Sequence, residues 1–391
     1  MINSKNTYVF FIAIAPILFI TPIWIIIIFL SFIIYINKIK PLNILLCLLL
    51  IIYTSLFTSG IDLVGDIGNY KNLYLNIQNS SYTIEYSAEP LILYLYKASV
   101  FLGLSFSNLL LLQSLTLSLI LLSCCLNIFK DKGLNYFSII LIFNQYLQLN
   151  LYLSRQTLAI ILFLWFLSYN KTKVLKLAGL ALAIFSHTIT LLYLTLTLIS
   201  KKIKINGRLF LILLLFFIAY PINEESTLYL LSNLYDYSES INRKISFYFN
   251  RNFLDESLGL FSTLMFPLHF IFLLLLINLI KNRKKSFPQD SITILFLFSY
   301  FILISMREIA ILPMRISLIS SMFSPFFFFY IRDNVVNLNY RIKKLLTIPF
   351  LLIIFLSFIK FIYTNDYNPG NITFLDGNAL TTYLFSERFF Q

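Results

Sequence analysis

Residues 107–128 read SNLLLLQSLTLSLILLSCCLNI, and not one of them carries a charge. A helix of this length extends for about 33 Å, which is enough to cross the roughly 30 Å hydrocarbon core of a bilayer. Similar runs recur along all 391 residues, of which 59% are hydrophobic and 12% are charged. Soluble domains contain fewer apolar residues and about twice as many charged ones. The sequence therefore predicts an all-α polytopic integral membrane protein.

Charged breaks divide the apolar sequence into ten candidate spans and two segments that do not fit as crossings. We expect the segment 90–104, which follows an acidic loop, to lie along the outer face or to dip into it. The segment 174–200 has lysines at both ends, so we expect two re-entrant half-helices that meet near His187. A break at the prolines of the first span would raise the count from ten to eleven transmembrane helices. The ten candidate spans are 8–36, 42–59, 107–128, 134–151, 155–170, 206–222, 258–280, 290–306, 314–331 and 345–363.

Lysine and arginine residues collect in six short loops, which the positive-inside rule places in the cytoplasm. Acidic residues and many tyrosines collect in two longer loops, 60–89 and 223–257, which we expect on the outer, periplasmic side. A single transmembrane domain over residues 1–391 is expected to present these loops as its working surface. The net charge of +13 then reflects topology, and we expect no nucleic-acid partner because no basic soluble domain is present. The six basic loops are those of Lys38, Lys130, Lys171, Lys201, Lys281 and Arg332.

Missing motifs exclude several function classes. The sequence contains no Walker loop, HExxH, nucleophile elbow or CxxC pair. Cys47, Cys124 and Cys125 lie inside apolar runs, where a thiol packs as a small apolar side chain. No group of residues has the spacing of metal ligands. We therefore expect neither a metal site nor a cofactor.

Four ionisable residues are predicted to lie within the membrane, where each costs about 2.5 to 3.5 kcal/mol on insertion scales. From the cytoplasmic anchor of each segment, helix rise places Arg155, His187, Arg307 and Arg315 at depths of roughly 24, 21, 26 and 26 Å. These residues would form one cationic layer just below the outer surface, suited to an anion such as a lipid diphosphate. The alternatives are interfacial anchoring for each arginine and a satisfied core position for the histidine.

Two acidic residues of the first outer loop complement this layer. Glu89 precedes Pro90, a residue type well tolerated at the first position of a helix, and we expect Glu89 to act as general base. Asp66 follows a span in a glycine-flanked loop, and we expect it to bind the acceptor sugar or to order Tyr70. The alternative for Glu89 is electrostatic stabilisation of the helix terminus. If neither carboxylate is the base, His187 remains the candidate.

The order of four short motifs resembles that of a known family. The motifs are Gly65-Asp66 with Tyr70, Glu89-Pro90-Leu91, Arg155-Gln156-Thr157-Leu158-Ala159, and His187 after a short apolar helix. This order resembles the EpsG family of polysaccharide polymerases, which is similar to the Wzy O-antigen polymerases. The resemblance covers roughly residues 42–200 and implies that Tyr70 and Gln156 bind substrate. Arg307 and Arg315, further along the chain, are predicted to bind substrate from their depth alone.

The resemblance implies glycosyl transfer at the outer face of the bacterial inner membrane, without a metal or a cofactor. Undecaprenyl-diphosphate-linked oligosaccharides would be both donor and acceptor, and the product would be an O-antigen, a capsule or an exopolysaccharide. Arginines would neutralise the departing diphosphate, a carboxylate would take the proton of the acceptor hydroxyl, and outer-loop tyrosines would stack on sugars. Membrane lipids and a chain-length regulator are the further partners expected.

Two other functions remain open from the residues. A flippase or transporter of lipid-linked oligosaccharide also buries charges in a polytopic protein, but such proteins commonly show internal repeats with a site at the membrane midplane. The sequence contains no convincing repeat, and the predicted cationic layer lies near the outer face. A membrane acyltransferase is the third function. It requires a better-placed catalytic histidine than either of the two in this chain.

Overall fold

Every regular element among the residues that the computed structural model describes is a helix. These residues are 23–59, 66–79, 90–147, 154–169, 172–200, 205–222, 265–282, 290–307, 311–336 and 339–364. The all-α prediction is confirmed. The described α-helices are α1 Ile23–Ile36, α2 Lys40–Ser59, α3 Asp66–Gln78, α4 Pro90–Phe101, α5 Phe106–Phe129, α6 Gly133–Leu141, α7 Ser154–Ser168, α8 Lys173–Ser186, α9 Ile189–Ser200, α10 Gly207–Ala219, α11 Phe266–Asn282, α12 Ser291–Ser305, α13 Ile311–Met322, α14 Ser324–Tyr330 and α15 Tyr340–Thr364.

Length and composition make three helical segments of the described chain suitable for crossing a membrane. They are Lys40–Ser59, Phe106–Leu141 and Tyr340–Ile359, and shorter apolar helices of 10–17 residues accompany them. Large apolar side chains such as Ile52 and Leu215 are 44% and 64% exposed, as contact with lipid requires. The chain is therefore an all-α membrane protein. The count of ten or eleven crossings stays a prediction.

Contacts among the helices group the chain into two compact units. The first unit comprises residues 1–190 and 354–391, and the second comprises residues 191–353. The single transmembrane domain predicted for 1–391 stays a prediction. The second outer loop, 223–257, lies outside the described residues.

In the first unit the chain reverses at Lys130, where the charged break between two spans was predicted. Lys130 has a φ of 52°, a value that is uncommon for residues other than glycine. Gly133 then approaches α5 so closely that a Cβ would lie 2.8 Å from the carbonyl oxygen of Cys125. The hydroxyl oxygens of Ser118 and Tyr146 face each other across the hairpin at 3.5 Å. The helices α5 and α6 are therefore antiparallel.

Amide side chains fasten the end of α1 to its neighbours. Asn135 of α6 donates to the carbonyl oxygens of Ile34, Tyr35 and Asn37 at 2.6, 3.0 and 3.2 Å. Asn43 of α2 donates to the carbonyl oxygen of Asn37 at 3.0 Å. The last carbonyls of a helix have no partner within it, and a bilayer offers no water to replace one. These amides therefore stabilise the packing of α1, α2 and α6.

A second antiparallel pair, α7 and α8, positions the candidate site. Gly179 of α8 lies so close to Trp165 of α7 that a Cβ would be 2.5 Å from the indole ring. The absence of a side chain at Gly179 is what permits this approach. Trp165 Nε1 also donates to Ser123 of α5 at 3.3 Å. Because the pair is antiparallel, the first residues of α7 lie beside the last residues of α8.

Two predicted helix boundaries are present. The helix α8 ends at Ser186 and α9 begins at Ile189, with His187 between them in an extended conformation of φ −166° and ψ 135°. The predicted pair of half-helices around His187 is thus observed, while its re-entrant path stays a prediction. The helix α4 begins at Pro90, as the Glu89-Pro90 pair predicted.

The expectation that Asp66 lies in a loop is wrong. Asp66 is the first residue of α3, a helix within the first predicted outer loop. The flanking glycines suggested a loop, but a glycine such as Gly68 inside a helix costs only about 1 kcal/mol relative to alanine. The helix buries Tyr70 and Tyr74, which are 6% and 2% exposed and lie one turn apart on the same face. Burial of these rings outweighs the cost of the glycine.

In the second unit, α10 and α12 end side by side. The backbone N–H of Ile222, just after α10, donates to the carbonyl oxygen of Ser305 at 2.7 Å. The C-terminal ends of both helices therefore lie together, while the predicted outward direction of the two spans stays a prediction. Aromatic rings fill the interior beside them, where Tyr300 stacks on Phe272 and Phe296 with centroids 4.7 and 6.0 Å apart.

Candidate functional site

Tyr70 and Arg155, which the sequence analysis selected separately, are in contact in the first unit. Tyr70 lies on the buried face of α3, and Arg155 is the second residue of α7. Arg155 Nε donates a hydrogen bond to the Tyr70 hydroxyl at 3.1 Å. The guanidinium carbon also lies 5.4 Å from the centroid of the Tyr70 ring, within the range of a cation–π contact. Tyr70 thus orients the charge of Arg155.

Gln156, the next residue of α7, contacts His187 at the end of α8. The two Nε2 atoms lie 3.3 Å apart. His187 Nδ1 accepts a hydrogen bond from the backbone N–H of Ile189 at 3.1 Å, so a neutral imidazole carries its proton on Nε2. That N–H requires an acceptor, and Gln156 supplies one when its amide oxygen turns toward the ring. The same rotation pairs Oε1, which is otherwise buried without a partner.

These contacts meet at the first turn of α7. One residue of the turn pairs with α3, and the next pairs with the end of α8. We call Tyr70, Arg155, Gln156 and His187 the Arg155 group. Arg155 and His187 lie at the same end of the antiparallel pair α7 and α8, and their membrane depths stay a prediction. A permanent cation at a helix N-terminus favours an anionic ligand.

The sequence analysis did not select Tyr96, which lies beside this group. Tyr96 is on α4, is 0% exposed, and has a hydroxyl without a hydrogen-bond partner in the described part of the chain. Its ring packs against that of Tyr74, one helical turn after Tyr70 on α3, with centroids 6.0 Å apart. The available signal was weak: Ile92, Tyr96 and Ser99 form the buried face of a short helix, a pattern that is typical of ordinary packing.

The sequence of this chain matches a known family over most of its length. The model of the EpsG family matches residues 45–375, a stretch that contains α3 to α15 and the whole Arg155 group. The chain belongs to the EpsG family. EpsG-family proteins are polysaccharide polymerase-like membrane proteins, so the resemblance drawn from the motifs is confirmed. No curated protein and no solved structure matches the chain significantly.

In the second unit of this EpsG-family protein, Arg307 connects two helix ends. Its guanidinium donates to the carbonyl oxygens of Phe217 and Ile218, both at 2.9 Å, and to that of Ile304 at 3.2 Å. These carbonyls belong to the last turns of α10 and α12, where intrahelical partners are lacking and the helix dipoles are negative. The contacts give Arg307 a structural role. Its predicted role in substrate binding stays a prediction.

Arg315 lies half-buried on α13 of the second unit. Its neighbour Ile316 accepts a hydrogen bond from the Tyr193 hydroxyl of α9 at 3.0 Å, so α9 packs beside this turn. Arg155 and His187 belong to the first unit, whereas Arg307 and Arg315 belong to the second. The cationic layer that joins all four in the EpsG-family protein stays a prediction, as does substrate binding by Arg315.

The predicted carboxylates adjoin elements that carry the site. Asp66 begins α3 and so lies one helical turn before Tyr70 in the backbone. Glu89 lies outside the described residues, directly before α4. The roles of Asp66 and Glu89 stay predictions. Among the described residues, no three His, Cys, Asp or Glu side chains lie together as a metal site would require.

Proposed function

We propose that this EpsG-family protein is a polysaccharide polymerase of the bacterial inner membrane, which lengthens an O-antigen, a capsule or an exopolysaccharide. It transfers a glycan chain from undecaprenyl diphosphate onto a lipid-linked repeat unit at the outer face of the membrane. The observation that carries this proposal is the Arg155 group, in which motif residues from α3, α7 and the end of α8 meet. Membership of the family supports a polymerase-like function in general.

The transfer replaces one bond at the anomeric carbon of the growing chain with another. The bond from that carbon to the diphosphate oxygen breaks, and its electron pair leaves with the lipid diphosphate. The acceptor hydroxyl forms the new glycosidic bond and gives its proton to a base. Negative charge therefore gathers on the departing diphosphate. The guanidinium of Arg155, a permanent cation with a planar fork of donors, is suited to stabilise that charge without a metal ion.

Glu89 is the base in this proposal, and Asp66 binds the acceptor sugar. Glu89 directly precedes α4, and Tyr96 on the same helix packs against Tyr74 of α3. Tyr96 lies six positions after Pro90, which is about 9 Å of helix rise. Asp66 begins α3, the helix of Tyr70. Both carboxylates thus adjoin helices that contribute to the site.

His187 is the second candidate for the base. Its Nδ1 accepts the N–H of Ile189, and its Nε2 faces the Gln156 amide. A base must present a nitrogen or oxygen that is ready to take a proton. Because both ring nitrogens of His187 are engaged, we assign His187 to holding Gln156 and the end of α8 in position.

A flippase or transporter of lipid-linked oligosaccharide is the alternative, and one observation favours it. The chain breaks at His187 between α8 and α9, and broken helices that line a substrate site recur in transporters. A flippase moves the lipid-linked repeat across the membrane and forms no glycosidic bond. The two functions therefore differ in the product that accumulates when the protein is absent.

Deletion of the gene followed by gel analysis of surface glycan tests the proposal. We expect cells without the protein to display lipid cores that carry one repeat unit, and a plasmid copy to restore long chains. A copy with Arg208→Ala should also restore them, because Arg208 is exposed on α10. Complete loss of repeat units from the surface would favour the flippase. Unchanged long chains would contradict both functions.

A further inference from the structure

Tyr96 is a buried tyrosine whose hydroxyl has no hydrogen-bond partner among the residues that the structure describes. The side chain is 0% exposed. Its ring meets those of Tyr74 and Phe106 edge-on, with centroids 6.0 and 6.4 Å apart. Packing therefore fixes the ring and the direction of the hydroxyl. Buried polar groups in native proteins are nearly always paired, so an unpaired one requires an explanation.

The surroundings of Tyr96 indicate what the hydroxyl serves. Its ring lies 6.0 Å from that of Tyr74, which follows Tyr70 by one helical turn on the buried face of α3. The two other tyrosines of this cluster have partners: Tyr70 accepts from Arg155 Nε at 3.1 Å, and Tyr74 donates to the carbonyl oxygen of Leu104. The Tyr96 hydroxyl, by contrast, has neither a donor nor an acceptor among the described residues.

Arg155, the cation that donates to the Tyr70 hydroxyl, favours a ligand that is an anion with acceptor oxygens. When its amide oxygen turns toward His187, Gln156 directs its N–H donors away from the imidazole ring. A phosphate group supplies both the negative charge and the acceptor oxygens that this donor set requires.

We propose that Tyr96 is a substrate-binding residue whose hydroxyl donates a hydrogen bond to a phosphate oxygen of the lipid diphosphate held by Arg155. This inference rests on the proposed function and adds a residue that none of the sequence motifs contains. The helix α4 thereby contributes directly to the site, in addition to carrying Glu89 at its start. The neutral O–H supplements the charge of the arginine, because hydrogen bonds to charged acceptors are the stronger ones.

Binding to the full-length protein in detergent micelles tests this inference. The probe is undecaprenyl diphosphate, and undecaprenol, which lacks phosphate, is the comparison ligand. Tyr96→Phe keeps the ring and its contacts with Tyr74 and Phe106 and removes the hydroxyl. We expect its affinity for the diphosphate to fall about tenfold or more, with undecaprenol binding unchanged. The unfolding midpoint without probe should stay at or above that of the wild type, because no hydrogen bond to a described residue is lost.

Tyr146→Phe is the matched control. Tyr146 is also buried in the first unit, at 1% exposure, but its hydroxyl faces Ser118. We expect Tyr146→Phe to bind the diphosphate as the wild type does. Tyr146→Phe measures the effect of removing a buried hydroxyl, whereas Tyr96→Phe also removes the proposed contact with the ligand.

The outcomes distinguish the inference from the proposed function. If the wild type binds the diphosphate, Arg155→Ala does not, and Tyr96→Phe binds normally, the inference is overturned and the proposed function stands; an ordered water then pairs the hydroxyl. A lower unfolding midpoint in Tyr96→Phe, with equal loss of both ligands, would indicate a structural role and also overturn the inference. Failure of the wild type to bind the diphosphate would overturn the inference together with the proposed donor.

Discussion

Arg155 uses its side chain in a way that lysine cannot reproduce. Its Nε is engaged by the Tyr70 hydroxyl at 3.1 Å, and this bond fixes the plane of the guanidinium. The Tyr70 ring, 5.4 Å away, limits the same plane from the side. Two helices therefore determine the position of the charge. A lysine has no equivalent of Nε and carries its charge as a mobile point at the end of a flexible stem.

We predict that Arg155→Lys and Arg155→Ala both abolish long-chain glycan while protein abundance stays near that of the wild type. Loss of a donor that stabilises developing charge lowers turnover about 100- to 1000-fold, and the lysine variant also loses the bond to Tyr70. Glycan gels of complemented deletion cells measure chain length, and immunoblots measure abundance.

Arg208→Lys is the matched control, since Arg208 is exposed on α10. It should restore full chain length. Normal glycan in Arg155→Lys would show that charge alone matters at this position, and normal glycan in both variants would remove Arg155 from the site.

At the scale of the helical elements, the ends of helices carry most of the informative contacts. Asn135 and Asn43 satisfy carbonyls at the end of α1, and Arg307 does so for α10 and α12. In a bilayer no water replaces such bonds. Polar side chains at helix ends therefore have a structural use, which stability measurements separate from the catalytic use that we propose for Arg155.

Arg307→Met is predicted to destabilise the protein. Methionine has an unbranched apolar side chain similar to the stem of arginine, but it lacks the guanidinium. Three carbonyl oxygens therefore lose their donor. We expect a loss of about 2 to 4 kcal/mol in stability, seen as a lower unfolding midpoint when helicity is followed in detergent micelles. Arg208→Met should leave the midpoint unchanged. A variant at position 307 that is fully stable but makes no long chains would assign Arg307 to substrate binding instead.

At the scale of the whole molecule, the distribution of charge predicts which surface faces the periplasm. The parallel ends of α10 and α12 are compatible with that assignment, since both spans were predicted to run outward. The Arg155 group at the start of α7 and the proposed glycosyl transfer both require the outer side. The orientation of the chain is therefore the assumption on which the proposed function depends most.

Cysteine labelling of intact cells tests the orientation. Asn79 at the end of α3 and Asn339 before α15 are both exposed, and the native Cys47, Cys124 and Cys125 are buried, so background labelling is low. We expect a membrane-impermeant maleimide to label Asn79→Cys in intact cells and Asn339→Cys only after permeabilisation. Labelling of Asn339→Cys from outside would reverse the topology and remove the depth argument for Arg155.

Much of the fold follows from local features of the sequence. Hydropathy predicted the helices, because apolar length and charged breaks are properties of neighbouring residues. The break at His187 followed from lysines at both ends of one apolar segment, and the start of α4 followed from Pro90. The glycines beside Asp66 led to the wrong prediction of a loop at that residue. A helix forms there because the burial of Tyr70 and Tyr74 outweighs the helix penalty of Gly68.

The sequence by itself determined the membrane class, the family and the residue types of the site. Only the tertiary structure decided which of these residues meet. Tyr70 and Arg155 lie 85 positions apart, and their contact depends on how α3, α7 and α8 pack, as at Gly179 against Trp165. Tyr96 was indistinguishable from a packing residue until its hydroxyl was found buried without a partner among the described residues. Hydropathy describes the transfer of each residue from water into the bilayer, so it can be read from the sequence one residue at a time. Contacts between helices depend instead on the shape and polar pairing of side chains that are distant in the chain.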